Sequence, residues 1–261
     1  MTQIDTMADL FSLDGRVALI TGGSRGIGRM IATGFLRHGA KVYITARRAA
    51  ACFETAKELS ELGTCIALPY DVSTLECCTS LAAAFREHEP KLDILVNNAG
   101  AAWGEDFDTY PESGWDKVVD LNMKTPFFLT QALIGELRAA GKSRLAKVIN
   151  IASIDGVSVN PMETYAYAAS KAGVIHLTKR MSLRLIADKI VVSAIAPGAF
   201  ASNMNKEARD HADMVAAHVP AQRIGVDADM AGAAIYLASR AGDYVVGQTL
   251  VVDGGVTLAR S

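Results

Sequence analysis

The chain has 261 residues, half of them hydrophobic, with a formal net charge of −2 and a mean hydropathy of +0.20. That length suits one large α/β domain with a well-buried core, and the composition argues against disorder. No basic stripe runs along the chain, so nucleic acid and anionic membrane surfaces are poor partners, and no apolar run approaches the roughly 20 residues that span a bilayer.

The four cysteines, Cys52, Cys65, Cys77 and Cys78, lack zinc-ligand spacing, and an adjacent pair makes a poor disulfide. They read as reduced thiols in a cytoplasmic protein. No metal-ligand set is apparent. The first ten residues carry no basic region followed by an apolar stretch, so no signal peptide is expected.

Residues 1–12 are polar and expected to be frayed. An apolar strand at 17–20 stops at Thr21-Gly22-Gly23-Ser24-Arg25-Gly26-Ile27-Gly28, and a helical pattern then runs from Ile27 through Met30, Ile31, Phe35 and Leu36. Strand, glycine turn and helix in succession place bare N–H groups at a helix N-terminus, where a phosphate is favoured. A strand at 41–45 and a helix at about 49–62 follow. Next come a strand at 65–68 and a helix capped by Ser73 that runs to about 87. Strands are expected at 92–96 and 147–152, separated by a helix at about 113–137 that Pro126 kinks or breaks. Helix 165–186, strand 191–196, a long irregular segment at 197–223, helix 229–239 and strand 249–252 complete the chain. Alternation of this kind predicts one doubly wound, Rossmann-type α/β domain, a mainly parallel seven-stranded sheet with helices on both faces.

Ligands of such sheets bind beyond the carboxyl ends of the strands. There, Gly22, Gly26 and Gly28 serve the tight turn, the approach to pyrophosphate and the helix–strand contact. After the second strand, where a carboxylate would bind the ribose of NAD, stand Ala46, Arg47 and Arg48, with Arg25 in the glycine turn. Guanidiniums in place of an acid suit a 2′-phosphate and favour NADP(H) over NAD(H). Asp71 either accepts from an adenine amino group or caps a helix. Asn97-Asn98-Ala99-Gly100, Ser153 and Pro197-Gly198 end the next three strands.

Tyr167 and Lys171 lie one helical turn apart and share a face. A phenol of ordinary pKa about 10 is a poor base. The lysine ammonium is expected to lower that value, so that Tyr167 exchanges a proton with a carbonyl or alcohol oxygen that Ser153 holds in place. Tyr165 falls on another face and reads as packing or a pocket wall. No Gly-Lys-Ser/Thr follows the glycines, which argues against a P-loop nucleotidase.

Together these residues resemble the classical short-chain dehydrogenase/reductase family over about residues 13–257. The motifs are the glycine turn, Asn97-Asn98-Ala99-Gly100, Asn122, Ser153, Tyr167-Ala168-Ala169-Ser170-Lys171 and Pro197-Gly198. The resemblance implies that Tyr167 is the acid/base, that Lys171 also binds the nicotinamide ribose, and that Ser153 positions the substrate oxygen. It implies that Asn122 holds a water linking Lys171 to solvent through a local break in its helix. It places NADP(H) against Gly22, Ser24, Arg25, Gly26, Ile27, Gly28, Arg47, Arg48, Asp71, Val72, Asn98, Ala99, Gly100, Tyr167, Lys171, Pro197, Gly198 and Ser202. A homotetramer is implied, with a dimer as the alternative.

Within the family the chain is similar to 3-oxoacyl reductases of the rhamnolipid-associated type, through Trp103-Gly104, Tyr110-Pro111, Ser113-Gly114-Trp115, Tyr165-Ala166-Tyr167, and Ile195 to Phe200 with Ser202 and Met204. A polyol, keto-sugar or steroid-like substrate, or a non-catalytic NADP(H)-binding regulator, is the alternative. Where carrier-protein reductases place arginines, this chain has Phe128 and Asp188. An aspartate repels an acidic carrier, so an acyl carrier protein is not the expected partner. Residues 199–222, with Phe200, Met204, Met214 and Val215, read as a substrate lid, and His211 and His218 within it as surface residues.

Overall fold

The computed structural model describes residues 6–202 and 204–259. In chain order the elements are α1 (Met7–Phe11), β1 (Val17–Thr21), α2 (Gly26–Arg37), β2 (Lys41–Thr45), α3 (Ala49–Leu59), β3 (Cys65–Ala67), α4 (Leu75–His88) and β4 (Ile94–Asn97). Then come α5 (Glu112–Val119), a π turn (Asp120–Lys124), α6 (Thr125–Ala132), α7 (Ile134–Gly141), β5 (Ala146–Ile151), α8 (Tyr165–Leu185) and β6 (Ile190–Pro197). The chain closes with α9 (Lys206–Asp210), α10 (Ala212–Ala216), α11 (Asp227–Ala238), β7 (Thr249–Val252) and α12 (Val256–Ala259).

Among the described residues the strands form one seven-stranded sheet in the order β3-β2-β1-β4-β5-β6-β7, and every pairing is parallel. Side chains alternate between the two faces, as the pleat demands. Ala18, Ile20, Val42, Ile44, Ile94 and Val96 pack with Ile31 and Phe35 of α2 and Met230 and Ile235 of α11. Leu19, Tyr43, Leu95 and Val148 face the other way, onto Leu81 and Phe85 of α4, Leu129, Leu137 and Met181. Both faces are therefore dry, as the near-continuous apolar runs predict. The direction of winding reverses between β1 and β4, and doubly wound sheets bind their ligands beyond the carboxyl ends of the strands at such a point.

Several boundaries differ from the sequence reading. Residues 6–11 are ordered as a cap and a helix, because the Thr6 side chain accepts from Asp9 N; residues 1–5 lie outside the described residues. Thr74, not Ser73, caps α4 by accepting from Cys77 N, while Ser73 donates its own N–H to Asp71. The helix expected over 113–137 is three helices with a π turn between the first two. Pro126 sits in the first turn of α6, directly after the π turn, where its missing N–H leaves a carbonyl of the preceding turn without a backbone donor. The irregular segment at 197–223 contains α9 and α10.

At the amino end of the sheet, Asp93 is fully buried and its Oδ2 accepts from Val17 N at 2.9 Å. Arg16, 2% exposed, donates to the carbonyls of Asp93, Leu145 and Ala238, and burial pulls its guanidinium down to about 10. Removing the carboxylate strands a buried cation. Asp93→Ala is expected to lose about 3–5 kcal/mol of stability in urea unfolding. Asp93→Asn, which still accepts from Val17 N, is expected to lose less.

Candidate active site

The glycine turn joins β1 to α2. Gly22 and Gly26 have φ of +66° and +51°, a region that side chains with a Cβ avoid. A Cβ on Gly28 would fall 2.4 Å from the Gly22 oxygen, which is the close approach the third glycine allows. Arg25 occupies the N-cap of α2 without a side-chain cap, so the first-turn N–H groups stay available to an anion. Gly23 N donates to Thr45 O at 3.1 Å, tying the turn to the end of β2. Arg47 and Arg48 follow that end. All three arginines are exposed. Ser24 O accepts from Thr55 Oγ1, and a Cβ on Gly26 would meet Ser202 at 3.2 Å, bringing the start of the 199–222 segment against the turn.

The residues at the end of β4 serve largely as braces. Asn98 Nδ2 donates to the Thr21 and Gly22 carbonyls at 2.8 and 3.3 Å, and Thr21 Oγ1 accepts from the N–H groups of Asn98 and Ala99. Asn97 turns inward, donating to Asn150 Oδ1 at 2.9 Å, and Asn150 donates to Thr178 Oγ1 at 2.9 Å. Asp71 Oδ1 accepts from the N–H groups of Val72 and Ser73, a local turn rather than the helix cap expected as its alternative, which Thr74 supplies. Gly198 N donates to Val252 O, and a Cβ there would strike Asp253 at 2.7 Å, so Pro197-Gly198 closes β6 against the end of β7.

Ser153, Tyr167, Lys171 and Asn122 converge. Ser153 caps a short turn by accepting from Asp155 N at 3.1 Å, and its side chain lies near enough to Tyr167 to favour the ionised phenol. Lys171 is 5% exposed; its Nζ donates to Ile151 O at 2.7 Å and sits 5.6 Å from the centroid of the Tyr167 ring. A Cβ on Gly100 would lie 3.1 Å from Asn122 Oδ1 and 3.8 Å from Lys171 Nζ, so the lysine and Asn122 flank the same glycine. Asn122 lies in the π turn, 2% exposed. Its Oδ1 accepts from Ala101 N, and its Nδ2 donates to Ala101 O and Ser170 Oγ. Both ends of the amide are thus engaged, and a water at this point would rest on a backbone carbonyl that the π turn frees.

The electrostatics correct one expectation. Tyr167 is not acidified: burial pushes the phenol up to about 12, only partly opposed by Ser153, and Asp155 adds to the rise. The same burial pulls Lys171 down to about 8, with Asp155 opposing. Desolvation, not the ammonium that helical spacing suggests, sets both values. Asp155 thus acts on both groups, although its position in the Ser153 turn gave no sequence signal. Asn150 and Ile151 O were equally silent. Gly156 packs a bare α-carbon on the Lys171 backbone, where a Cβ would fall 2.5 Å from its carbonyl carbon.

Tyr165 faces away from Lys171 and packs edge-on against Phe107 and Tyr110 at 5.5 and 5.8 Å. In the 199–222 segment, Phe200 is buried, with its ring against Gly225, and so supports the segment rather than facing a ligand. Met204 and Met214 are exposed, as are His211 and His218. Among the described residues no cluster of His, Cys, Asp or Glu could hold a metal, and no helix is long and apolar enough to cross a membrane. Asp188 is not the bare acid that the carrier argument supposes, because it pairs with Arg138 at 2.9 Å and Arg184 at 3.2 Å.

The family model described as "Enoyl-(Acyl carrier protein) reductase" matches residues 22–257. The chain is 45% identical over 256 residues to the rhamnolipids biosynthesis 3-oxoacyl-[acyl-carrier-protein] reductase of Pseudomonas aeruginosa, covering 97% of this chain and all of that one. It is 36% identical over 260 residues to the 5-keto-D-gluconate 5-reductase of Escherichia coli, covering 97% of this chain and all of that one. The solved "Pseudomonas aeruginosa RhlG/NADP active-site complex" superposes with a TM-score of 0.92 at 44% identity, over 95% of this chain and 99% of that one. A seven-stranded parallel sheet, a glycine turn at its switch point, a Ser–Tyr–Lys cluster beyond its carboxyl edge and these matches agree: the chain belongs to the short-chain dehydrogenase/reductase family.

Proposed function

We propose that the protein is an NADP(H)-dependent reductase of ketones, acting on 3-oxoacyl esters or thioesters. The observation that carries this reading is the convergence of Ser153, Tyr167 and Asn122 on Lys171, whose Nζ is held by Ile151 O 5.6 Å from the centre of the phenol ring. The nucleotide fits on three counts. The N-terminus of α2 has no side-chain cap, Gly22 and Gly26 hold the turn in the left-handed region, and exposed guanidiniums stand at the end of β2 instead of a carboxylate. Arg25, Arg47 and Arg48 would hold the 2′-phosphate. Gly22, Ser24, Gly26, Ile27 and Gly28 would hold the pyrophosphate, and Asp71, Val72, Ala99 and Gly100 the adenine side. Pro197, Gly198 and Ser202 would border the nicotinamide.

When bound, NADPH supplies the hydride. Ser153 then holds the ketone oxygen, and Tyr167 gives it a proton. A phenol near 12 is protonated at neutral pH, which suits a donor in the direction of reduction. Lys171 has three donor positions, one of them spent on Ile151 O. The others would serve the nicotinamide ribose and steady the phenolate left after transfer. Asn98 and Asn122 brace this arrangement, Asn122 also offering the carbonyl for a water that returns protons. Residues 1–261 form one catalytic unit with residues 199–222 as its lid, assembled as a homotetramer in the cytoplasm.

Tyr167→Phe is expected to lower kcat about 10²–10⁴-fold with NADPH and a 3-oxo ester, with NADPH binding, followed by nicotinamide fluorescence, retained. Arg47→Ala is expected to raise KM for NADPH about 10–100-fold, the loss of a charge-assisted hydrogen bond, and to leave KM for NADH nearly unchanged. Lys171 titrates near 8 when folded against its ordinary 10.5, so the unfolded chain binds more protons between those values and stability rises with pH across that window. In the cofactor-free protein at pH 7, Lys171→Met is therefore expected to be more stable than the parent by about 1–3 kcal/mol. Urea unfolding at rising pH should show the gap closing.

A further inference from the structure

Beside the proposed catalytic tyrosine lies an aromatic ledge that none of these roles uses. Phe107 is 73% exposed and Tyr165 37% exposed, and their rings meet edge-on. Tyr110 joins Tyr165 and Trp115 in the same geometry and donates its hydroxyl to Trp103 O. The ledge is anchored to the site from two sides. Tyr165 is two residues before Tyr167 at the start of α8, and Glu105 N donates to Glu163 O, binding the 101–109 loop to the approach to that helix. An aromatic edge this open has apolar surface to cover.

Carboxylates border the ledge. Glu105, Asp106 and Asp108 flank Phe107 in sequence and are exposed. Asp106 and Asp108 act on the Tyr165 hydroxyl, which also donates to Glu163. Lys117 is the cation on this side, 5.1 Å from the Trp103 ring, and among the described residues no cation pairs with Glu105, Asp106 or Asp108. At the nucleotide end the sign is reversed, with Arg25, Arg47 and Arg48 exposed.

We propose that the Phe107–Tyr165 ledge receives the apolar chain of the substrate, and that Glu105, Asp106 and Asp108 make the mouth selective for uncharged ketones over ketones that carry a carboxylate. This rests on the reductase reading above. Anionic keto-acids meet repulsion at the rim, whereas a neutral ester of the same chain meets only apolar surface. The source of the chain is thus a neutral ester or ketone rather than a keto-sugar acid.

The test is initial-rate reduction by NADPH of ethyl 3-oxooctanoate and of the free 3-oxooctanoate anion, at low and high salt. The ester is expected to have a kcat/KM at least about tenfold higher, the gap narrowing as salt screens the rim. The variant Glu105→Gln/Asp106→Asn/Asp108→Asn should raise kcat/KM for the anion about 3–10-fold and leave the ester within about twofold. Phe107→Ala should raise KM for ethyl 3-oxooctanoate about 5–10-fold while changing kcat/KM for ethyl acetoacetate little. Reduction of the anion as fast as the ester, or a charge-neutral variant that moves both alike, would overturn the proposal and leave the reductase reading standing. No reduction of any ketone, with NADPH binding intact, would overturn both.

Discussion

Every central strand of this sheet is covered on both faces, and that confines polar chemistry to the strand ends. In the dry layers a lone polar side chain costs about 1–3 kcal/mol or more unless hydrogen-bonded. Asn97, Asn150 and Thr178 are accordingly chained together. At the carboxyl edge the restriction lifts. There the chain places the glycine turn, Asn98, Ser153 and Pro197-Gly198, one group per strand. The site is what a parallel, doubly covered sheet leaves room for.

The same chain of amides couples the two halves of the site. Asn98, next to Asn97, holds the Thr21 and Gly22 carbonyls. Ile151, next to Asn150, holds Lys171. The β4–β5 ladder, which ends at the Asn97–Asn150 pair, therefore sets the register of the nucleotide turn against that of the lysine, and the side-chain bond between the two amides reinforces it. Gly100 does the same from the loop side, lying against both Asn122 and Lys171. Preorganisation here is a property of strand register more than of the reacting side chains.

Much of this was legible because it depends on local rules. Apolar runs bounded by glycine marked the strands, and the order of elements marked the winding. Tyr167 and Lys171 declared themselves by helical spacing, and the missing acid after β2 declared the guanidiniums. What stayed hidden depends on what surrounds a residue in space. Spacing showed that Lys171 stands near Tyr167, but not that burial would raise one group and lower the other. Asp188 read as a bare acid although Arg184, four positions before it, lay within reach of local pattern; Arg138, fifty positions away, did not. Ser73 and Thr74 are both good caps, and one residue of register decides between them: α4 starts at Leu75, so the Thr74 hydroxyl is the one that meets Cys77 N. Phe200 looked like a ligand contact by composition, yet it fills the space above Gly225.

The π turn at Asp120–Lys124 holds one residue more than a regular helix needs for the same advance. Excising a single residue there would heal the helix into a regular α turn and leave the flanking segments nearly in phase. Asn122 would leave Ala101 and Ser170, while the outward appearance of a long amphipathic rod would survive. The bulge is thus a splice in the rod, and the length of this segment carries information that its hydrophobic pattern does not.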